Sequence, residues 1–179
     1  MLILEIPGYY EDPSTFRVGT QPDRAYYIPF TDAAKALGAS REQSDEFISL
    51  DGDWRFRYFE DVESVDGGFI SPDFDCRGFG TLPVPSVWQM HGFDRHQYTN
   101  INYPIPFDPP YVPAKVPCGA YIRDFDSEKS GDTREFLNFE GVDSCIYVYI
   151  NGRFVGYSQV SNSHVECDTW LYPTNLPFI

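Results

Sequence analysis

The chain has 179 residues, which is enough for one domain with a sizeable core and an additional extended segment. Its formal net charge of −14 argues against a nucleic-acid partner, because phosphate binding needs a concentrated basic surface. No run of about 18 apolar residues occurs, so no membrane-spanning helix is expected. Residues 1–8 lack the basic start and the long apolar stretch of a secretory signal, and the cytoplasm is the expected location.

Aromatic residues make up 17% of the sequence, and such rings suit half-buried pleated surfaces and also stack against sugars. The 15 Pro and 14 Gly residues indicate many short strands and few helices. The cysteines form no C-x-x-C pair and follow no export signal, so free thiols are expected rather than a zinc site or disulfides. They are Cys76, Cys118, Cys145 and Cys167.

Residues 1–46 show no sustained hydrophobic period and are predicted to form an extended amino-terminal arm that lies across another surface. Such arms often need a partner surface to become ordered. One short helix is expected within the arm, with Thr31 or Asp32 as its N-cap and Gly38 as its C-cap.

From Phe47 onward the sequence predicts β structure. Alternation places Trp54, Phe56 and Tyr58 on one face of a strand, where they are expected to join the core. Residues 60–80 are acidic and Gly-rich and are interpreted as a connection. The recurrent prolines of residues 86–117 exclude a helix and predict a long ordered loop or a series of edge strands. Further strands follow at 119–125, 135–140, 145–150 and 153–157, the last two joined by an Asn151-Gly152 hairpin turn.

No catalytic constellation emerges from the residues alone. Asp94, Asp108 and Asp143 lie near predicted turns, where Asp commonly hydrogen-bonds its own backbone. His91 and His96 could be imagined as metal ligands, but no third ligand is indicated and a loop-anchoring role is favoured; His164 is isolated. Neither a G-x-S-x-G nucleophile motif nor a Gly-rich phosphate loop is present. The residues indicate an acidic, aromatic β domain with one elaborate loop.

The loop carries a resemblance to a known family. Residues 85–94 (PSVWQMHGFD), 98–104 (YTNINYP) and 108–113 (DPPYVP) closely resemble glycoside hydrolase family 2 β-galactosidases. The similarity includes residues 50–56 (LDGDWRF) before the loop, 139–144 (FEGVDS) and 151–159 (NGRFVGYSQ) after it, and the arm segments 9–12 (YYED) and 24–27 (RAYY). It covers roughly residues 9–168, and the order of these motifs matches that of the family.

The resemblance implies a jelly-roll, galactose-binding-like β-sandwich at residues 47–168, the sugar-binding domain of the family. The acid/base and nucleophile glutamates, together with magnesium and sodium sites, are implied for a later (β/α)₈ barrel, so no catalytic residue and no cofactor is expected in this chain. The resemblance implies that Asn100 reaches into the barrel's pocket and hydrogen-bonds galactose. A side-chain amide suits this role because it can donate and accept at once. The full-length protein is expected to be a retaining β-galactosidase that cleaves terminal β-D-galactosides such as lactose; β-glucuronidase and β-mannosidase are the alternatives within the family.

Departures from the family concern the end of the chain. Residues 166–168 partly match the family pattern, whereas residues 169–179 form a divergent tail. We therefore expect a sandwich truncated at its C-terminal strands, with an open edge. The expected partners are a galactoside, the catalytic barrel of the same polypeptide, and a second copy of the chain bound through the arm or the open edge. A stand-alone carbohydrate-binding module and an assembly module, both without enzymatic activity, remain the alternatives.

Overall fold

The computed structural model describes residues 6–38, 40–96, 100, 105–126, 134–159 and 161–170. Strands are the main regular secondary structure of these ranges, which confirms the predicted all-β class. They are β1 (Arg17–Val18), β2 (Gly52–Phe59), β3 (Gly80–Val84), β4 (Cys118–Ile122), β5 (Phe136–Phe139), β6 (Ile146–Ile150), β7 (Arg153–Ser158) and β8 (Val165–Asp168), with one α-helix, α1 (Ala33–Leu37). None of the helices in this described part of the chain has the length and apolarity needed to cross a bilayer.

The strands form three antiparallel sheets, ordered β1-β7-β6, β3-β2-β4 and β5-β8. The predicted hairpin between β6 and β7 is confirmed. Asn151 and Gly152 have φ values of 52° and 79°, the two left-handed conformations that a tight turn of this kind requires. The strands that the alternation predicted on either side of this turn are also present.

A hydrophobic core lies between the β6-β7 hairpin and the β5-β8 pair, which gives the sandwich arrangement. Its buried residues share alternate positions on the facing strands. They are Leu137, Val148, Ile150, Val155, Val165 and Cys167. The two layers approach closely at Gly156, where an added Cβ would lie 2.9 Å from the Sγ atom of Cys167. This packing leaves no room for a side chain at that position of β7.

The amino-terminal arm lies across the chain's own sandwich. Its strand β1 extends the first sheet, because Arg17 and Val18 pair with Ser158 and Tyr157 of β7. The Gln21 amide then donates to the Glu166 carbonyl oxygen of β8 at 2.8 Å. The backbone of the arm therefore covers edges of both layers of the sandwich, where unpaired strand groups would otherwise be exposed.

Side chains also hold the arm in place. Arg24 binds both carboxylate oxygens of Glu166 at 2.8 Å, and the Glu166 side chain is only 8% exposed. Hydrogen bonding to this carboxylate, with its charge, raises the pKa of Arg24. Nearer the start of the arm, the Tyr9 ring packs 5.2 Å from that of Tyr157, and Gln159 Nε2 donates to the Asp12 carbonyl oxygen at 2.9 Å. The arm thus contributes an ion pair, ring packing and backbone hydrogen bonds to the fold.

Helix α1 confirms the short helix predicted within the arm and identifies Asp32, rather than Thr31, as its N-cap. The Asp32 Oδ1 atom accepts hydrogen bonds from the amides of Ala34 and Lys35 at 2.7 and 3.1 Å. These bonds satisfy two of the amide groups that a helix leaves unpaired at its start. Gly38 is the C-cap, as predicted.

The cysteines should differ sharply in reactivity with alkylating reagents. Burial raises the pKa of Cys118 to about 11 and that of Cys167 to about 12, and it also raises the pKa of Cys145. Because the thiolate is the nucleophile, about one thousandth of Cys118 is reactive at pH 8. We expect iodoacetamide to modify the half-buried Cys76 first in the folded protein, as measured by peptide mass spectrometry.

Burial of Cys118 and Cys167 also makes their rate of alkylation and their contribution to stability depend on pH. Folding favours the protonated thiols, so the stability they confer is present below their ordinary pKa of about 9 and is lost as the pH rises towards 11 or 12. Modification of Cys118 and Cys167 should accelerate over this range. Rapid alkylation of both at pH 8, with the circular dichroism spectrum intact, would contradict the prediction.

Candidate functional site

The long predicted loop, residues 86–117, connects β3 to β4 and is anchored to the sheet by two aromatic rings. A short 3₁₀ turn at Trp88–His91 directs Trp88 onto the sheet, with its ring centroid 6.2 Å from that of Phe56 and 5.7 Å from that of Tyr58. The Phe93 ring packs 5.0 and 5.8 Å from the same two rings. Trp54 and Phe56 are buried on this side, which confirms their predicted core role, whereas Tyr58 is half-buried.

Backbone geometry makes this anchoring possible. An added Cβ at Gly119 of β4 would lie 2.6 Å from the Cζ3 atom of Trp88, so the indole ring rests directly on the strand backbone. Gly92 and Asp94 have φ values of 85° and 56°, which turn the chain between Trp88 and the following residues. Burial raises the pKa of Tyr58, and the nearby carboxylate of Asp94 adds to the effect.

The outer part of the loop is apolar and exposed. The Tyr111 amide donates to the Asp108 carbonyl oxygen at 2.9 Å, which closes a turn, and the Val112 amide donates to Glu11 Oε1 of the arm at 3.2 Å. Several large apolar side chains are exposed to solvent here, and Phe107 is 82% exposed. This exposed loop surface consists of Val87, Met90, Ile105, Phe107 and Tyr111.

Asn100, the residue expected to contact sugar, lies at a turn of this loop with its side chain exposed. Its neighbours in the YTNINYP segment, Tyr98 and Thr99 together with residues 101–104, lie outside the described residues, as do residues 171–179 of the predicted tail. The role of Asn100 in sugar binding stays a prediction.

The other polar residues singled out in the sequence have separate positions. His91 and His96 are exposed on the loop, and the His164 ring packs 5.4 Å from the Tyr26 ring of the arm. Asp143 accepts a hydrogen bond from Ser161 Oγ at 2.8 Å. Across the described ranges, no three His, Cys, Asp or Glu side chains converge as a metal ion would require.

The structure also contains a concave feature that was not expected from the sequence. It is a depression of about 150 Å³ beside β2 and β4, with Arg55 and Asp124 forming an ion pair in its lining. The remaining lining residues are Phe69, Ser71, Pro72, Phe74, Cys76 and Ile122. We call it the Arg55–Asp124 depression. Most of its wall comes from residues 60–80, the segment that the sequence indicated only as a connection. Phe69 and Phe74 are the residues of that segment whose apolar side chains could have indicated a packed wall.

Comparisons with known proteins agree with the sandwich and with the loop motifs. Residues 47–175 match the family described as glycosyl hydrolases family 2, sugar binding domain. Three similar relatives are the β-galactosidases of Actinobacillus pleuropneumoniae (47% identical over 93% of this chain and 16% of the relative), Staphylococcus xylosus (41% over 89% and 16%) and Priestia megaterium (34% over 93% and 17%). The chain spans about a sixth of the length of these curated relatives. It belongs to glycosyl hydrolase family 2, of which it carries the sugar-binding domain.

Proposed function

We propose that the chain is the amino-terminal sugar-binding domain of a retaining β-galactosidase that hydrolyses terminal β-D-galactosides such as lactose. The observation that carries the proposal is the similarity to several β-galactosidases along nearly the whole chain, part of the arm included. The chain alone is expected to be inactive. In this proposal the two catalytic carboxylates of the reaction, and the magnesium and sodium ions implied for the family, belong to the remainder of a longer polypeptide.

Two features of the loop support this assignment: its base is packed against the sheet, and its outer surface is apolar and exposed. Trp88 and Phe93 hold the base against the sheet, whereas the exposed loop surface presents large apolar side chains to its surroundings. Apolar patches of this kind mark interaction sites. Because the relatives are about six times longer than the chain, the rest of such a polypeptide is the natural occupant.

Asn100 lies in the same loop. When the rest of the polypeptide packs against the exposed loop surface, Asn100 would lie beside the bound galactoside. A side-chain amide can donate to one sugar hydroxyl and accept from another, which suits the recognition of a neutral sugar. Self-association through the arm is a further part of the proposal. Since the backbone of the arm binds β7 and β8 of its own chain, such self-association would use the outer face of the arm.

A chimera tests the role of Asn100. The matching segment of the A. pleuropneumoniae β-galactosidase is replaced by this chain, and hydrolysis of a chromogenic galactoside is measured. We expect Asn100→Ala to lower kcat/KM by about tenfold, the loss of one hydrogen bond to substrate. The chain alone should give no turnover under the same conditions.

The matched control for this experiment is Asn162→Ala, because Asn162 is also an exposed asparagine at a turn. Equal activity of the two variants would refute the role of Asn100. Turnover by the rigorously purified chain alone would refute the assignment as a non-catalytic domain. Calorimetry of the chain with galactose and lactose separates this proposal from a stand-alone carbohydrate-binding module, for which submillimolar affinity is expected.

A further inference from the structure

We propose that the Arg55–Asp124 depression binds a single neutral sugar ring, more weakly than the submillimolar affinity expected of a stand-alone carbohydrate-binding module. The depression lies on the face of the β3-β2-β4 sheet that carries Arg55 and Ile122, which are paired across β2 and β4. Neighbouring side chains along β2 point the opposite way, towards Trp88 and Phe93 of the loop. The proposal therefore concerns a different surface from the loop and stands on its own geometry.

The polar side of the depression offers donors and an acceptor next to each other. Arg55 Nη2 donates to Asp124 Oδ2, and the two side chains stay 40% and 54% exposed. Among the described residues this is the hydrogen bond that the pair makes, so further guanidinium N–H groups and the second carboxylate oxygen remain available to a ligand. Adjacent hydroxyls of a sugar can accept from the first and donate to the second at the same time.

Charge decides which kind of sugar fits. The ion pair neutralises its own two charges, so the depression has no excess charge that would attract an ionic ligand. The net charge of −14 on the whole chain disfavours anionic sugars further. A neutral polyhydroxylated ring fits this absence of excess charge and the paired donors and acceptor.

The apolar side of the depression suits the C–H face of such a ring. Phe69 and Phe74 are half-buried, and Ile122 is 2% exposed. Aromatic rings with a few polar groups placed beside them are the usual composition of a small-molecule site. A volume of about 150 Å³ corresponds to about five water molecules, which limits the ligand to one ring rather than an oligosaccharide.

The wall is held in place before any ligand binds. Asp66 Oδ1 accepts from the Gly68 amide at 2.9 Å, and Asp75 Oδ1 accepts from the Arg77 amide at 3.1 Å, which fixes the two 3₁₀ turns of the wall. The Phe74 ring also packs edge-on against the Phe79 ring at 5.7 Å. A preformed wall lowers the entropic cost of binding.

Cys76 provides a reporter inside the depression. The 179-residue chain is alkylated with iodoacetamide in the presence of methyl β-D-galactopyranoside, whose blocked reducing end cannot react with thiols. At ten times the dissociation constant, the Cys76 rate should fall about tenfold. Sorbitol, an open-chain polyol, and the anionic methyl galacturonoside should not protect. Alkylation of Cys118 in the same sample controls for a general effect of the sugar on stability.

Two variants test the polar and the apolar side of the depression. Asp124→Asn removes the carboxylate and Phe74→Leu removes an aromatic face, and both should abolish the protection of Cys76. The matched control Asp126→Asn changes another exposed carboxylate two residues further along and should keep it. Circular dichroism establishes that each variant is folded.

An unchanged Cys76 rate at saturating sugar, equal protection by sorbitol, or protection that survives both variants would overturn the proposal. The outcome is separable from that of the Asn100 experiment, because Asn100→Ala should leave the protection of Cys76 unchanged.

Discussion

Replacement of Gly19 by alanine is expected to lower the free energy of unfolding by about 3 kcal/mol and to detach the arm from the sandwich. Gly19 follows β1 and has a φ of +70°, a conformation that costs about 1–2 kcal/mol for a residue with a Cβ. The added Cβ would also lie 2.3 Å from the Val155 carbonyl oxygen, and such overpacking costs about 1–3 kcal/mol. Urea unfolding followed by tryptophan fluorescence measures the loss.

Two other glycines separate these contributions. Gly92 has a φ of +85° with nothing within 4 Å of the added Cβ, so Gly92→Ala should cost only the conformational part, about 1 kcal/mol. Gly8 has neither restriction, and Gly8→Ala should leave stability unchanged. If Gly19→Ala and Gly92→Ala cost the same, the close approach of the arm to β7 does not determine stability.

The elements that the sequence predicts well are those whose signals are local. In β2, the alternation of rings and arginines determines which side chains are buried, and Trp54 and Phe56 are buried accordingly. The Asn151-Gly152 turn is specified by two residue types that adopt left-handed conformations at low cost. The Asp32 cap of α1 is likewise a contact within four residues.

The position of the arm on the sandwich cannot be predicted from local sequence patterns. Strand β1 has two residues, which is too short for any periodic pattern. Its anchors join residues far apart in sequence, such as Gln21 with Glu166 and Tyr9 with Tyr157. Such contacts require the positions of β7 and β8, which the composition of the arm does not contain.

Local sequence patterns also do not predict the two candidate sites. Asn100 was identified through the resemblance of the segments around it, since an isolated asparagine in a loop carries no signal of its own. The Arg55–Asp124 depression was missed because its residues come from three distant segments. They meet only when β2 and β4 pair in the register that places Arg55 beside Ile122. A site formed by strand register becomes visible only in the fold.

Truncation of Phe56 to alanine is expected to have the largest effect of any substitution considered. Phe56 is 2% exposed, and its ring packs against Tyr121 of the sheet as well as against Trp88 and Phe93 of the loop. Removing a buried ring costs about 3–5 kcal/mol. For a chain of this size we expect the melting temperature to fall by about 10 °C. Phe107→Ala removes a ring of the same size that is 82% exposed, and it should change stability by less than about 0.5 kcal/mol.

Phe56→Leu separates the stability of the sheet from the anchoring of the loop, because it keeps an apolar side chain but loses the edge-to-face contact with Phe93. Amide hydrogen exchange should then become faster in residues 86–96, while β6 and β7 keep their protection. This local effect follows from the geometry, since Phe56 joins the loop to the sheet and takes no part in the core beside β5 and β8. Uniform acceleration across all strands would instead mean that the loop and the sandwich unfold as one unit, and the aromatic rings would then not be a separate anchor.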